Sequence, residues 1–147
     1  MSPVLLLAAL VAVTLIACGT EGLLRHIRAR QLRSLAVQWR MAYTHRDPFN
    51  LAERIGARLP LPAPNLRVLD LVHGSEASFH RYVFTVEFTQ ETLSTYGRKR
   101  RVFTFCEPRD VADPCPAPLV AAPEELPILD QYRHLHDHNW TSSDRRP

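Results

Sequence analysis

FHRYVFTVEFTQ, residues 79–90, is the segment on which the fold turns. Tyr82, Phe84, Val86 and Phe88 alternate with Arg81, Val83, Thr85 and Glu87, the period-two pattern of a half-buried strand. Downstream, KRRVFTFC (Lys99 to Cys106) repeats the pattern, with Phe103 and Phe105 facing one way and Val102 and Thr104 the other. Upstream, RVLDLVH (Arg67 to His73) supplies another strand, with Leu69 and Leu71 on one face and Val68 and Val72 on the other. The HGSE turn from His73 joins the first pair, and a longer loop from Glu91 to Arg98, containing Gly97, joins the second. Three sequential strands with short connections predict an antiparallel meander of about three strands. Leu119 to Ala122 offers a short additional edge strand.

Helical spacing flanks this sheet. Leu32, Leu35, Trp39 and Ala42 recur at intervals of three, four and three, with Ala36 and Tyr43 widening the stripe. That helix is expected to cover one side of the meander and to end at Asp47-Pro48, because proline disfavours helical angles in the residue before it. Asn50 with Glu53 resembles a capping box that starts a short helix through about Arg58. The PLPAP connection (Pro60 to Pro64) and the excursion from Pro108 to Pro118 carry no regular pattern. Glu124-Glu125 after Pro123 suits the first turn of a terminal helix to about Leu135, burying Leu126, Leu129 and Tyr132. The expected class is α+β. Its divisions are a membrane anchor over 1–24 (or a lipoprotein signal over 1–17), a basic juxtamembrane segment over 25–31, a small domain over 32–136, and a flexible tail over 137–147.

The N-terminus sets the location. Val4 to Cys18 is unbroken by charge and rises about 22 Å as a helix, short of a hydrocarbon core of about 30 Å. Extension to Leu24 reaches about 31 Å and leaves Glu21 to snorkel. On length alone a signal-peptide apolar region fits better. Leu15-Ile16-Ala17-Cys18 also matches a bacterial lipobox, which makes Cys18 the lipidation candidate and leaves Cys106 and Cys115 as a disulfide pair if the domain is exported. Charge argues the other way. Met1-Ser2-Pro3 has no basic side chain, whereas Arg25, Arg28, Arg30 and Arg33 follow the apolar stretch, where cationic residues hold a segment on the cytoplasmic side. A single-pass anchor with a cytoplasmic domain is therefore favoured, and a periplasmic or cell-surface lipoprotein is the alternative.

The segments RMAYTHRDPF, YVFTVEFT, RVFTFCEPRD and APEELPILDQYRHL give the chain a layout that resembles uncharacterised bacterial proteins with an N-terminal anchor, an arginine cluster and a small domain. The resemblance implies an anchored α+β domain and no activity.

Candidate sites are few. Arg98, Lys99, Arg100 and Arg101 form a positive run that suits anionic lipid headgroups or an acidic protein partner; its blander reading is protection of the VFTF strand from edge pairing. No aromatic interleaving points to nucleic acid. His134 and His138 share a helical face at a spacing that can hold a metal, but no further ligand is evident, so no metal or cofactor is expected. A small hydrolase using Cys106, with a distant base such as His80 or with the C-terminal histidines, is the weakest alternative; Glu107 next to the thiol opposes ionisation. There is no phosphate-cradling glycine loop, HExxH, CxxC or GxSxG motif. With a net charge of only +3, these absences leave a non-catalytic binding or scaffolding domain, lying on the lipid bilayer, as the expected function.

Overall fold

The computed structural model describes residues 2–60, 65–76, 78–92, 95–110 and 119–137. The chain is α+β: helix α1 (Pro3–Gln38), strand β1 (Ala42–Thr44), helix α2 (Leu51–Ile55) with a following 3₁₀ turn (Gly56–Arg58), strands β2 (Arg67–Glu76), β3 (Phe79–Thr92), β4 (Thr95–Pro108) and β5 (Leu119–Ala121), and helix α3 (Ile128–Asp137). The sheet has five strands in the order β1-β2-β3-β4-β5, every neighbouring pair antiparallel. The three-strand meander is its centre, β5 is the edge strand expected after Pro118, and β1 is an addition.

β1 exists because α1 ends early. The apolar stripe ran on through Ala42 and Tyr43, but the helix stops at Gln38. Met41 N–H donates to the Ala36 carbonyl at 2.8 Å and Arg40 N–H to that of Val37 at 3.1 Å, with Arg40 at a φ of 57°. These two bonds are the Schellman pattern, which usually places glycine in the left-handed position. Arginine fills it here, so the sequence carries no stop signal. The released residues pair with β2, Tyr43 opposite Val72.

β3 and β4 are longer than their sequence patterns indicated. Pairing continues from Phe84 opposite Phe103 to Thr92 opposite Thr95, so most of the expected Glu91–Arg98 loop is hairpin. β3 is also buried on both faces from Arg81 to Phe88 rather than half-buried. One face packs Tyr82, Phe84, Val86, Phe103 and Phe105 against Leu51, Ile55 and Leu59 from the α2 region. The other packs Val72, Val83 and Val102 against Leu32, Leu35 and Ala36 of α1 and Tyr132 and Leu135 of α3. A phenylalanine buried as fully as Phe84 stabilises the fold by about 2–3 kcal/mol relative to its exposed state.

Three local expectations are corrected. β2 does not alternate strictly: between Leu69 and Val72 it gains one residue on β3, a bulge with Asp70 at a φ of 51°. The bulge puts Val68 and Leu71 in the α2-side core and Val72 in the other. α2 is capped by Asp47, whose carboxylate accepts from Ala52 N–H at 2.9 Å and Phe49 N–H at 3.3 Å; Asn50 makes no side-chain cap. α3 begins after Pro127, not at Glu124, and buries Gln131, Tyr132 and Leu135. Leu126 and Leu129 are only partly buried.

Among the described residues α1 is the one helix long and apolar enough to cross a membrane, a property that a signal sequence near the N-terminus shares. Its side chains from Val4 to Leu24 are exposed, and those of Leu32, Leu35 and Ala36 are buried. No break separates the two regions.

Candidate functional site

Where α1 passes from exposed to docked, it borders a cleft of about 160 Å³. Arg25 and Arg28, three residues apart on one helix face, meet Arg67 at the start of β2 and Arg98 and Arg100 in β4. The sheet brings these distant residues together by register. Arg67 lies opposite Glu87, and Glu87 opposite Arg100, so all three project from the face that carries α1. The cleft therefore continues the α1-side core beyond its apolar part. Five guanidinium groups face two carboxylates, Asp70 and Glu87, a surplus of three arginines over carboxylates. A second depression of about 360 Å³ adjoins it, sharing Arg67, Glu87 and Arg98.

Both carboxylates are committed to the fold. Glu87, only 10% exposed at its side chain, accepts from Arg100 Nε at 2.8 Å and Nη2 at 2.7 Å, with Arg98 at 4.0 Å. Asp70 Oδ1 accepts from Tyr43 O–H at 2.7 Å and contacts His45 Nδ1 at 2.8 Å, which must donate because a carboxylate only accepts. Burial, then the bond to Asp70, raises the Tyr43 phenol far above its ordinary value, so its proton stays in place. Arg33 lies 5.5 Å over the Tyr43 ring. The Asp70 carbonyl accepts from Tyr132 O–H, which also takes a bond from Thr85 Oγ1 at 2.9 Å. Desolvation raises the fully buried Tyr132 phenol as well. The bulge at Asp70 is thus held by Tyr43 and His45, which follow α1, and by Tyr132 of α3. No ion pair engages Arg28 or Arg67 among the described residues, and Arg25 reaches only the exposed Glu21 at 3.4 Å.

The 98–101 run is divided by this geometry. Arg98 and Arg100 line the cleft, while Lys99 is exposed on the opposite face. Arg101, also on that face, ties β4 to the segment before α3 through the Ala122 carbonyl and Glu124, each at 3.0 Å. Of the four arginines that follow the apolar stretch, Arg25 and Arg28 reach the cleft, Arg30 is exposed, and Arg33 covers Tyr43.

The nucleophile and metal candidates are not brought together. Cys106 is 2% exposed and lies opposite Arg81, whereas His80 lies opposite Glu107, one residue out of step and so on the other face. His80 Nδ1 is 2.9 Å from Ser75 Oγ. His134 is exposed on α3, and His136 stacks on Trp39 with ring centroids 4.0 Å apart. Among the described residues no group of three His, Cys, Asp or Glu side chains is placed to hold a metal. His138 and Cys115, and with them the His134–His138 and Cys106–Cys115 pairings, lie outside the described residues. Cys18 is exposed on α1.

Sequence reasoning missed Arg67, His45, Asp70 and Glu87 as parts of one site. The signals were Asp70 and Glu87, carboxylates set among the apolar residues of two strand patterns; register makes Glu87 a neighbour of three arginines. Comparison with family models, curated proteins and solved structures finds no match to the chain.

Proposed function

We propose that the chain is a membrane-anchored, non-catalytic binding module whose α+β domain rests on the bilayer surface and presents the arginine cleft there. The observation that carries this reading is the continuity of α1. One helix runs from an exposed apolar stretch into the core, so the domain is held at a fixed height rather than on a tether. Val4 to Leu24 covers about 31 Å at 1.5 Å per residue, enough for the hydrocarbon layer. The domain is cytoplasmic in this reading, because Arg25, Arg28, Arg30 and Arg33 oppose translocation at about 2.3 kcal/mol per charge per 100 mV.

Alkaline carbonate extraction of membranes, with green-fluorescent and alkaline-phosphatase reporters fused after Pro147, tests it. The protein should stay in the membrane pellet, with the fluorescent fusion active and the phosphatase fusion inactive. Release into the supernatant overturns the anchor. An active phosphatase fusion, together with acylation that disappears in Cys18→Ser, overturns the topology in favour of a lipoprotein.

A further inference from the structure

We propose that the cleft between α1 and the starts of β2 and β4 binds the phosphate of an anionic membrane phospholipid; this assignment rests on the anchored reading above. Position is the first argument. Arg25 follows the last apolar residue directly, and Arg28 is four residues beyond Leu24, about 6 Å along the helix axis. With the apolar stretch in the hydrocarbon, both guanidinium groups lie in the headgroup layer, which adds about 5–7 Å on each side of a bilayer. Arg67, Arg98 and Arg100 are brought to the same level because they line the same cleft.

Chemistry is the second argument. Guanidinium groups present paired N–H donors that match phosphate oxygens, and several converging on one point favour a compact anion. Glu87 and Asp70 do not compete, since each is already bonded within the fold. Arg28 and Arg67 come from different elements and have no carboxylate partner among the described residues, so they have the most to gain from an added anion. No phenylalanine, tyrosine or tryptophan lines the cleft. The one ring in the lining, the His45 imidazole, is tied to Asp70, and the converging donors are guanidinium groups, so the phosphate is the group the cleft is built to recognise.

The test uses the full chain in mild detergent, with bound lipid counted by native mass spectrometry and the unfolding midpoint followed by tryptophan fluorescence. Dihexanoyl phosphatidic acid should bind and raise the midpoint, whereas dihexanoyl phosphatidylcholine should do neither. Arg28→Gln and Arg67→Gln should each weaken phosphatidic acid binding about fivefold. Lys99→Gln with Arg109→Gln removes two charges from exposed sites outside the cleft, one more than either cleft variant, and should leave binding unchanged. Equal retention of the two lipids, or equal loss in the cleft and control variants, overturns the assignment. A midpoint rise from inorganic phosphate equal to that from phosphatidic acid overturns the lipid source and leaves a soluble phosphate site. Carbonate extraction fails if the anchored reading is wrong, whatever the lipid result, so the two failures are distinguishable.

Discussion

The two faces of the sheet are built from alternate residues of the same strands, yet they solve different problems. On the α2 side the contacts are between large apolar groups: Phe84 stacks near Phe103, Tyr82 near Phe105, and Leu51, Ile55 and Leu59 close over them. On the α1–α3 side the strands contribute valines, and all six buried polar or charged residues of the described chain are there: Asp70, Arg81, Thr85, Glu87, Thr104 and Gln131. Apolar burial is strong but indifferent to angle. Hydrogen bonds are weaker and directional. The face that must receive a long helix at one tilt therefore carries the directional groups. Gln131 illustrates the division: it accepts from the Val102 backbone N–H at 2.9 Å and donates to the Leu126 carbonyl at 2.7 Å, fixing α3 against β4.

If the α2 side works by burial alone, its largest ring should be the costliest to remove and should leave the helix-bearing side intact. Phe84→Ala is expected to lower stability by about 4 kcal/mol. The measurement is urea unfolding of the full chain in mild detergent. Lipid retention in the cleft, measured below the unfolding transition, should match wild type. Loss of retention in the folded variant would show that the two faces are not separable.

The converse substitution keeps the ring and removes one directional contact. Tyr132→Phe leaves the Asp70 carbonyl and the Thr85 hydroxyl without their bond, at an expected cost of about 2 kcal/mol. Because Asp70 holds Tyr43, which packs beside α1, the variant should also loosen the contact of α1 with the sheet. Trp39, stacked on His136 between α1 and α3, gives the signal: its fluorescence should shift before global unfolding, as it should not in Phe84→Ala. A single coincident transition in both variants would erase the distinction.

These contrasts also explain what the sequence disclosed. Burial on the α2 side was legible, because Tyr82, Phe84, Val86 and Phe88 keep step with the strand period and with Phe103 and Phe105 across the hairpin. The docking stripe Leu32, Leu35 and Ala36 was legible for the same reason at helical period. The elements that escaped depend on backbone angles that unusual residues adopt. Arg40 ends a helix where glycine ordinarily would, and Asp70 turns a bulge in the left-handed region that aspartate tolerates without advertising it. The bulge shifts every later side chain of β2 to the opposite face from the one that simple alternation assigns. The cleft was hidden one level deeper. Arg28, Arg67 and Arg98 are separated by dozens of residues, and it takes both the antiparallel register of β2 to β4 and the docking of α1 to place them together. A run of four basic residues was read as one patch, although the alternation of Val102 and Thr104 with Phe103 and Phe105 already separates Arg100 from Lys99 and Arg101.

Two neighbours in that run give the finest test. Arg100 and Lys99 carry the same charge one residue apart, so any effect of net charge is equal for both. Their surroundings differ: Arg100 makes two bonds to a nearly buried Glu87, and Lys99 is exposed on the other face. Arg100→Gln leaves that carboxylate with only Arg98, at 4.0 Å, and is expected to cost about 1.5 kcal/mol. Lys99→Gln should fall within about 0.5 kcal/mol of wild type, as surface changes away from specific contacts do. Added salt sharpens the difference. Screening over about 8 Å at physiological ionic strength weakens exposed charges far more than a pair in direct contact. The Arg100 effect should therefore persist at high salt, while any small Lys99 effect vanishes. Equal costs for the two substitutions would mean that the run acts as undifferentiated surface charge, and that the register separating Arg98 and Arg100 from Lys99 and Arg101 has no energetic consequence.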